Sequence, residues 1–378
     1  MLLSLLSNRI GDNKTLGARG QSIFGMSKDQ REVVLNDWAR VQLAARSIEM
    51  LPGEHLDVAS DDASFRRYFR YQAQPHGYIF VDAPPDREDS KPFVSIAKHL
   101  ADAGLNAPEV YAVDYELGFM MLSDLGNTLY LSVFEGSEEG SEEGGKPAPE
   151  GGHESLYQDA LEAIYAMQFI AAELPVYDRS RLQQEMDLFP DWFLKKQLRL
   201  SLSGEEMEML NAVFELMIGN ALEQPQFFVH RDYHSRNLMV TRPGYPGIID
   251  FQDAVKGAVT YDLVSLLRDC YLTLPSDEVT RWVNEYRRML LDNGRIDEVD
   301  EITFRRWFDL MGLQRHLKCA GIFSRLNLRD DKPGYLGDIP RVVSYMVEVC
   351  REYKELHRFG NWLSEVVEPK LETGLFER

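Results

Sequence analysis

Residues 229–240 read VHRDYHSRNLMV, and residues 248–251 read IIDF. Asn237 stands five residues after Asp232, and Asp250 thirteen after Asn237. A polar His-x-Asp-x4-Asn loop leads into an apolar strand, and a second strand ends in an aspartate. This pattern sets one base and two hard oxygen ligands around a single reaction path. Phosphoryl transfer needs these parts. Asp232 would accept or orient the proton of an attacking hydroxyl. Asn237 and Asp250 would hold Mg²⁺ against the phosphates of ATP, and His230 would brace the loop against the metal-binding segment. An isolated His-x-Asp carries little weight, whereas the full set at this spacing points to a kinase-like site.

Upstream of that loop the chain is interrupted at 135–154, EGSEEGSEEGGKPAPEGGHE, with seven Glu against one Lys. Such a segment buries too little apolar surface to offset its ordering entropy, so it reads as a flexible acidic insert. Before it the signals favour strands over 65–71, 78–81 and 118–122, with a helix over 92–103 that Gly104 ends. After it the chain reads mostly helical, over 156–174, 205–221, 277–293, 301–328 and 340–358, with short strands at 227–229 and 247–249. No period of 20–50 residues recurs.

The 378 residues predict two to three compact units. With 44% apolar and 27% charged residues the composition is that of a globular chain. Lys and Arg number 41 against 61 Asp and Glu, a net charge of −20, which argues against nucleic acid and anionic membranes as partners. Three cysteines, Cys270, Cys319 and Cys350, form no CxxC pair and fit a reducing compartment. The apolar start at 1–6 is too short for a signal sequence and no run approaches a membrane span, so the chain reads as cytoplasmic.

HRDYHSRNLMV with IIDFQDA resembles the aminoglycoside phosphotransferase and choline kinase superfamily. A eukaryotic protein kinase is the poorer match, because FQDAVKG stands where DFG would and no APE segment follows. GAVTYDLVSLLRDCY at 257–271 is similar to the helix that follows in that family, where Asp262 would brace the catalytic loop. DASFRRYFR, VDAPPDREDSKPFV, GFMMLSDLG and 314–341 sharpen the likeness toward bacterial kinases of the anomeric hydroxyl of N-acetylmuramate and N-acetylglucosamine. The resemblance implies an α+β, protein-kinase-like fold of two lobes. Residues 1–35 would be an extension and 36–126 a β-rich nucleotide-binding lobe with a hinge. Residues 155–366 would form a helical lobe carrying the catalytic loop and sugar site, with ATP in the cleft. It also implies ATP and Mg²⁺ as cofactors, a small sugar as substrate, and a monomer or weak dimer. A kinase of another small hydroxylated substrate and a pseudokinase acting as a binding module are the rivals.

The nucleotide half departs from the usual pattern. Residues 60–65 hold no Gly, leaving the Ser64 hydroxyl and backbone to contact phosphate. The strand over 78–81 lacks the expected Lys and is followed by Asp82, so Arg66, Arg67, Arg70 or Lys91 would supply the charge. Met121, Leu122 and Ser123 would form the hinge, with backbone groups meeting the adenine. For the sugar, His234, Gln252 and Asp253 are the loop candidates. On the helix over 301–328 and just beyond, Arg315, Lys318, Arg325 and Arg329 fall within one ~80° arc at 100° per residue. Leu313, Leu317 and Ala320 take the opposite face. That arc is either a solvated basic face or a source of cations for the substrate, with Lys318 and Arg325 expected to reach a carboxylate.

Overall fold

The computed structural model describes residues 26–60, 66–74, 76–136, 151–242 and 245–375. Ser64 and residues 137–150 of the acidic insert lie outside the described residues. The chain divides into two compact units. One holds the described residues up to Val94 together with Glu109–Asp124; the other holds Ser95–Pro108 and everything from Leu125 on. Residues 95–108, expected with the β-rich half, therefore belong to the helical one.

The first unit is a five-stranded antiparallel sheet in the order β1-β2-β3-β5-β4. Its strands are β1 (Asp57–Ser60), β2 (Arg67–Gln72), β3 (Gly77–Asp82), β4 (Val110–Asp114) and β5 (Phe119–Ser123). The reading missed β1 and β4, which are only four and five residues long. Helix α1, Lys28–Ala44, starts at a capping box on Ser27 and Gln30 and lays Leu35, Ala39 and Leu43 on the sheet residues Phe69, Phe80, Phe119 and Met121. Trp38 closes the contact, 6.2 Å from the Phe80 ring and 5.9 Å from that of Phe119. This corrects the expected 1–35 extension, since residues 28–35 open the helix that covers the sheet.

Asp82 is the polar centre of this unit. It faces Arg67 across the β2–β3 register and is 1% exposed. Arg31 of α1 donates to one carboxylate oxygen, at 2.8 Å from Nε, and Arg67 to the other, at 2.7 Å from Nη2. Arg31 also donates to the Leu117 carbonyl at 2.7 Å, fastening α1 to the turn before β5. That turn requires Gly118: φ is +72° there, and a Cβ would stand 1.9 Å from the Ala83 carbonyl oxygen.

Helix α2, Ser90–Asp102, spans the division between the units. The second unit is mostly helical. It contains α3 (Tyr130–Glu135), α4 (Gly152–Gln168), α5 (Arg179–Met186), a π-helix over Phe189–Gln197, α6 (Gly204–Glu223), α7 (Tyr261–Leu267), α8 (Ser276–Asp292), α9 (Glu301–Asp330) and α10 (Ile339–Glu352), with shorter turns to Gly374. Two small antiparallel pairs lie among them, β6 (Gln226–Val229) with β9 (Val255–Ala258) and β7 (Leu238–Arg242) with β8 (Tyr245–Ile248). α3 and α4 take the two ends of the expected insert, so the helix predicted over 156–174 begins and ends earlier.

α9 overturns the arc drawn from the sequence. Leu313, Leu317 and Ala320 are buried as expected, but Gln314, Arg315 and Lys318 are buried as well. At Gly321 a Cβ would stand 2.4 Å from the backbone carbon of Leu188, so glycine permits close approach of the turn leading into the π-helix.

The Asp82 cluster gives the first prediction. Asp82→Ala leaves two cations beside a sheet with no carboxylate between them, and should lower stability by roughly 3–5 kcal/mol in urea unfolding. A variant with wild-type stability that binds nucleotide poorly would restore Asp82 as a ligand contact.

Candidate active site

Residues 230–237 form the loop between β6 and β7, and Asp250 follows β8. The loop is held from below by Asp262 on α7, which has no solvent exposure. One of its oxygens accepts the His230 backbone N–H at 2.7 Å and the other that of Arg231 at 3.0 Å. Arg231 has φ +80°, a conformation that a non-glycine residue keeps only when its surroundings fix it. The bracing role that the resemblance gave Asp262 thus has a defined geometry. Burial pushes the Asp262 carboxyl up to about 7, against the lowering effect of the two N–H bonds.

His230 ties the two segments together. Its Nε2 lies 3.0 Å from the Ile249 carbonyl, and its Nδ1 accepts the Asp232 N–H at 3.3 Å. Nε2–H with a bare Nδ1 satisfies both bonds, so the ring is neutral. Burial pushes its pKa down to about 4.

Asn237 completes the turn. Its side-chain NH₂ donates to the Asp232 carbonyl at 2.9 Å and reaches Asp250 Oδ2 at 3.4 Å, which leaves the amide oxygen as the acceptor the side chain can offer. Its backbone oxygen accepts the Ile249 N–H at 3.1 Å, joining loop to strand end. Asp250 also has a positive φ, +63°, and its Oδ1 accepts from Gln252 Nε2 at 2.7 Å. The Oε1 of Gln252 is buried with no hydrogen-bond partner among the described residues. Asp253 is exposed, and only its backbone carbonyl enters the network, accepting from Arg231 at 3.4 Å.

Asp232 is only partly exposed. Burial alone would raise its pKa, but Lys318, His234, Arg231 and Arg315 outweigh it and bring the carboxyl down to about 2. Two of them, Arg231 and Lys318, are held by a residue the sequence reading missed. Glu185 of α5 forms an ion pair with Arg231 and lies 3.6 Å from the Lys318 ammonium. Tyr177 donates its hydroxyl to Glu185 and accepts from Gln314 at 3.1 Å; Lys318 donates to the Tyr261 hydroxyl at 3.1 Å. Nothing in the local sequence marks Glu185, because its partners lie 46 and 133 residues along the chain.

The basic arc of α9 therefore divides. Lys318, expected to reach a carboxylate of the substrate, is 5% exposed and engaged with Glu185 and Tyr261. Arg315 donates to the Cys270 sulfur at 3.1 Å. Arg325 is half-buried with its Nε unpartnered among the described residues, and Arg329 is exposed and paired with Asp330. His234 is buried, its pKa pushed down to about 4 by that burial, with Nδ1 unpartnered among the described residues.

The expected nucleotide contacts of the β-rich unit are engaged within it. Asp82 and Arg67 form the ion cluster described above. Arg66 pairs with Glu88 at 3.2 Å and Arg70 with Asp124 at 2.7 Å, while Lys91 is exposed. Met121 and Leu122 are buried in β5, paired with both β3 and β4. Ser123 exchanges bonds with Glu109, its N–H donating at 2.9 Å and its hydroxyl accepting at 2.8 Å. The backbone expected to meet adenine is thus used in the sheet.

Residues 55–301 match the family described as "Phosphotransferase enzyme family". A protein of Pseudomonas aeruginosa named N-acetylmuramate/N-acetylglucosamine kinase is 41% identical over 347 residues, covering 90% of this chain and 98% of that protein. A protein of the same name from Neisseria meningitidis is 38% identical over 91% of this chain and 99% of its own length. Among solved structures, an aminoglycoside phosphotransferase with ADP bound aligns with a TM-score of 0.51 at 16% identity, covering 83% of this chain and 99% of that one, which shows a shared kinase-like α+β fold. Among the described residues no helix is long and apolar enough to cross a membrane.

The Glu185 network predicts strong coupling. Glu185→Ala should cost about 3–5 kcal/mol, because it strands two largely buried cations. Glu185→Ala with Lys318→Met should cost less than the sum of the two singles by at least about 1 kcal/mol in a urea double-mutant cycle. Simple additivity would mean that the carboxylate does not hold Lys318.

Proposed function

The chain belongs to the phosphotransferase enzyme family, and on that premise we propose that it phosphorylates the anomeric hydroxyl of N-acetylmuramate and N-acetylglucosamine with ATP. The observation that carries this reading is the set of Asp232, Asn237 and Asp250 on one rigid loop system, in a chain aligned over nine-tenths of its length with kinases named for these sugars. A scaffold without catalysis has no need of that set. A polycationic acceptor fits poorly beside Arg231, Arg315 and Lys318.

The donor set suits Mg²⁺. No group of three or more His, Cys, Asp or Glu among the described residues could hold a metal alone. Mg²⁺ commonly takes one or two protein oxygens and completes its shell with water and substrate phosphates. Asp250 would supply a carboxylate oxygen and Asn237 its amide oxygen, the atom left over once its NH₂ is used on Asp232. When bound, the ion would neutralise charge on the phosphate oxygens.

Asp232 works as a hydrogen-bond acceptor that is always ionised. A carboxylate with a pKa near 2 is a weak base. It orients the sugar hydroxyl, and it takes the proton once the oxygen has begun to bond to phosphorus. An anomeric hydroxyl is more acidic than an ordinary alcohol, so this weak base suffices. Arg231 and Lys318 keep the carboxylate charged, and Glu185 offsets their surplus.

Asp232→Asn should keep stability and ATP binding while lowering kcat by ~10²–10⁴. Retention of near-wild-type kcat would remove Asp232 from the base role. The depressed pKa also fixes a pH window. Asp232 is ionised above its pKa of about 2, so it should cause no acid loss of kcat/KM above about pH 4. Lys318→Met removes the strongest of the attractions that hold Asp232 ionised and should move that limb upward. An unmoved limb would show that Lys318 does not act on Asp232.

Asp250→Ala should abolish turnover and weaken ATP binding in the presence of Mg²⁺ far more than in EDTA. Asn237→Ala should do so more mildly, because a neutral amide oxygen is the weaker ligand. Calorimetric titration with and without the metal decides this; equal losses in the two conditions would count against the assignment.

A further inference from the structure

The cations near the catalytic loop sort by partner. Arg231 and Lys318 share Glu185, Arg268 pairs with Glu348 at 2.9 Å, and Arg341 with Asp338 at 3.0 Å. Arg236 differs. It lies within the loop itself, one residue before Asn237, and like Arg315 and Arg325 it makes no ion pair among the described residues, Asp338 being near enough only to feel its charge. Its guanidinium carbon lies over the Tyr271 ring, 3.8 Å from the centroid, with that of Tyr335 at 5.5 Å.

This stack is built into the fold. Asp269, 2% exposed, accepts the Ser235 N–H at 3.0 Å through one oxygen and the Tyr271 N–H at 2.9 Å through the other. One carboxylate thus fixes the residue before Arg236 and the ring beneath it. His234 meets the same ring edge-on, at 5.2 Å, and its buried Nδ1 has no partner among the described residues. The site therefore holds an immobilised cation and an unused polar atom around one aromatic ring.

A guanidinium stacked by its face keeps its edge N–H groups in one plane, the arrangement that grips a planar carboxylate with two parallel bonds. The chain carries a net charge of −20, so an anionic ligand needs such a local cation. We propose that Arg236, held on Tyr271, receives the acceptor's carboxylate and so sets selectivity for acidic over neutral amino sugars. This rests on the reading of the chain as an amino-sugar kinase. N-acetylmuramate carries a lactyl carboxylate and N-acetylglucosamine does not, so the two acceptors differ in the group that Arg236 would read.

The test measures kcat and KM for both sugars on the full chain, with Arg236→Met and Arg236→Lys beside the wild type. Arg236→Met should raise KM for N-acetylmuramate by roughly ten- to a hundredfold, the weight of a charge-assisted contact, and KM for N-acetylglucosamine by less than about threefold. Arg236→Lys keeps the charge and loses the fork, and should fall between on N-acetylmuramate alone. Its melting temperature, compared with wild type, guards against a folding effect. Equal losses on both sugars, or a raised KM for ATP, would assign Arg236 to the phosphates and overturn the inference. No loss on either sugar would overturn it as well. A wild type that phosphorylates neither sugar would overturn the amino-sugar reading itself, and is seen before any variant is made.

Discussion

One carboxylate, Asp262, carries the geometry on which the catalytic loop depends. A loop that turns inside a helical unit has backbone N–H groups with no helix or sheet to satisfy them, and each costs about 1–3 kcal/mol if left bare. Asp262 accepts two of them, on consecutive residues. The second belongs to Arg231, whose positive φ of +80° is strained for an arginine. That strain is useful. With the N–H groups of 230 and 231 bound to Asp262, the Asn237 amide closes the loop over the Asp232 carbonyl. Asp269 repeats the device four residues after Arg231, at Ser235. The loop is fixed from beneath at two points by buried acids, while Asp232, the proposed base, remains partly open.

An acidic chain that handles anionic phosphates must place its few cations with care. Glu185 shows how this one does so. Two cations share its carboxylate, so the group retains net positive charge close to Asp232 without an exposed basic surface. The tyrosine hydroxyls of 177 and 261 take the remaining polar contacts. A buried ion group of this kind adds little net stability over an apolar core. Its use is electrostatic: it holds Asp232 ionised in a partly enclosed site where burial alone would favour the protonated acid.

The parts legible in the sequence were those whose meaning is local. The loop from His230 to Asn237 and the aspartate at 250 are set by spacing along a few residues, and the structure joins them through bonds between near neighbours. The long helices were legible for the same reason, and their bounds moved by only a few residues where caps such as Ser203 and Asp300 fix the start. The ion cluster at Asp82 was not legible because its partner Arg31 lies 51 residues away, within the expected 1–35 extension. Glu185 was invisible because its partners are distant and its own helix carries no motif. The α9 arc failed on a different point. Helical angles say which residues share a face, and they do not say whether a charged face meets water or a buried counter-charge.

That distinction changes where the substrate's cation should be sought. A charged side chain is available to a ligand only if the fold has left it an unspent bond. Lys318 lies beside the reacting aspartate, yet its ammonium is already divided between Glu185 and Tyr261, and drawing it away would strand a buried carboxylate. Arg236 lies over Tyr271 and has no carboxylate within ion-pair distance among the described residues, Asp338 being near enough to feel its charge but itself paired with Arg341, so a carboxylate ligand would add a partner without removing one. The loop that positions the base then also positions the group that reads the acceptor. The backbone bonds to Asp262 and Asp269 tie chemistry and selectivity to the same eight residues, 230–237.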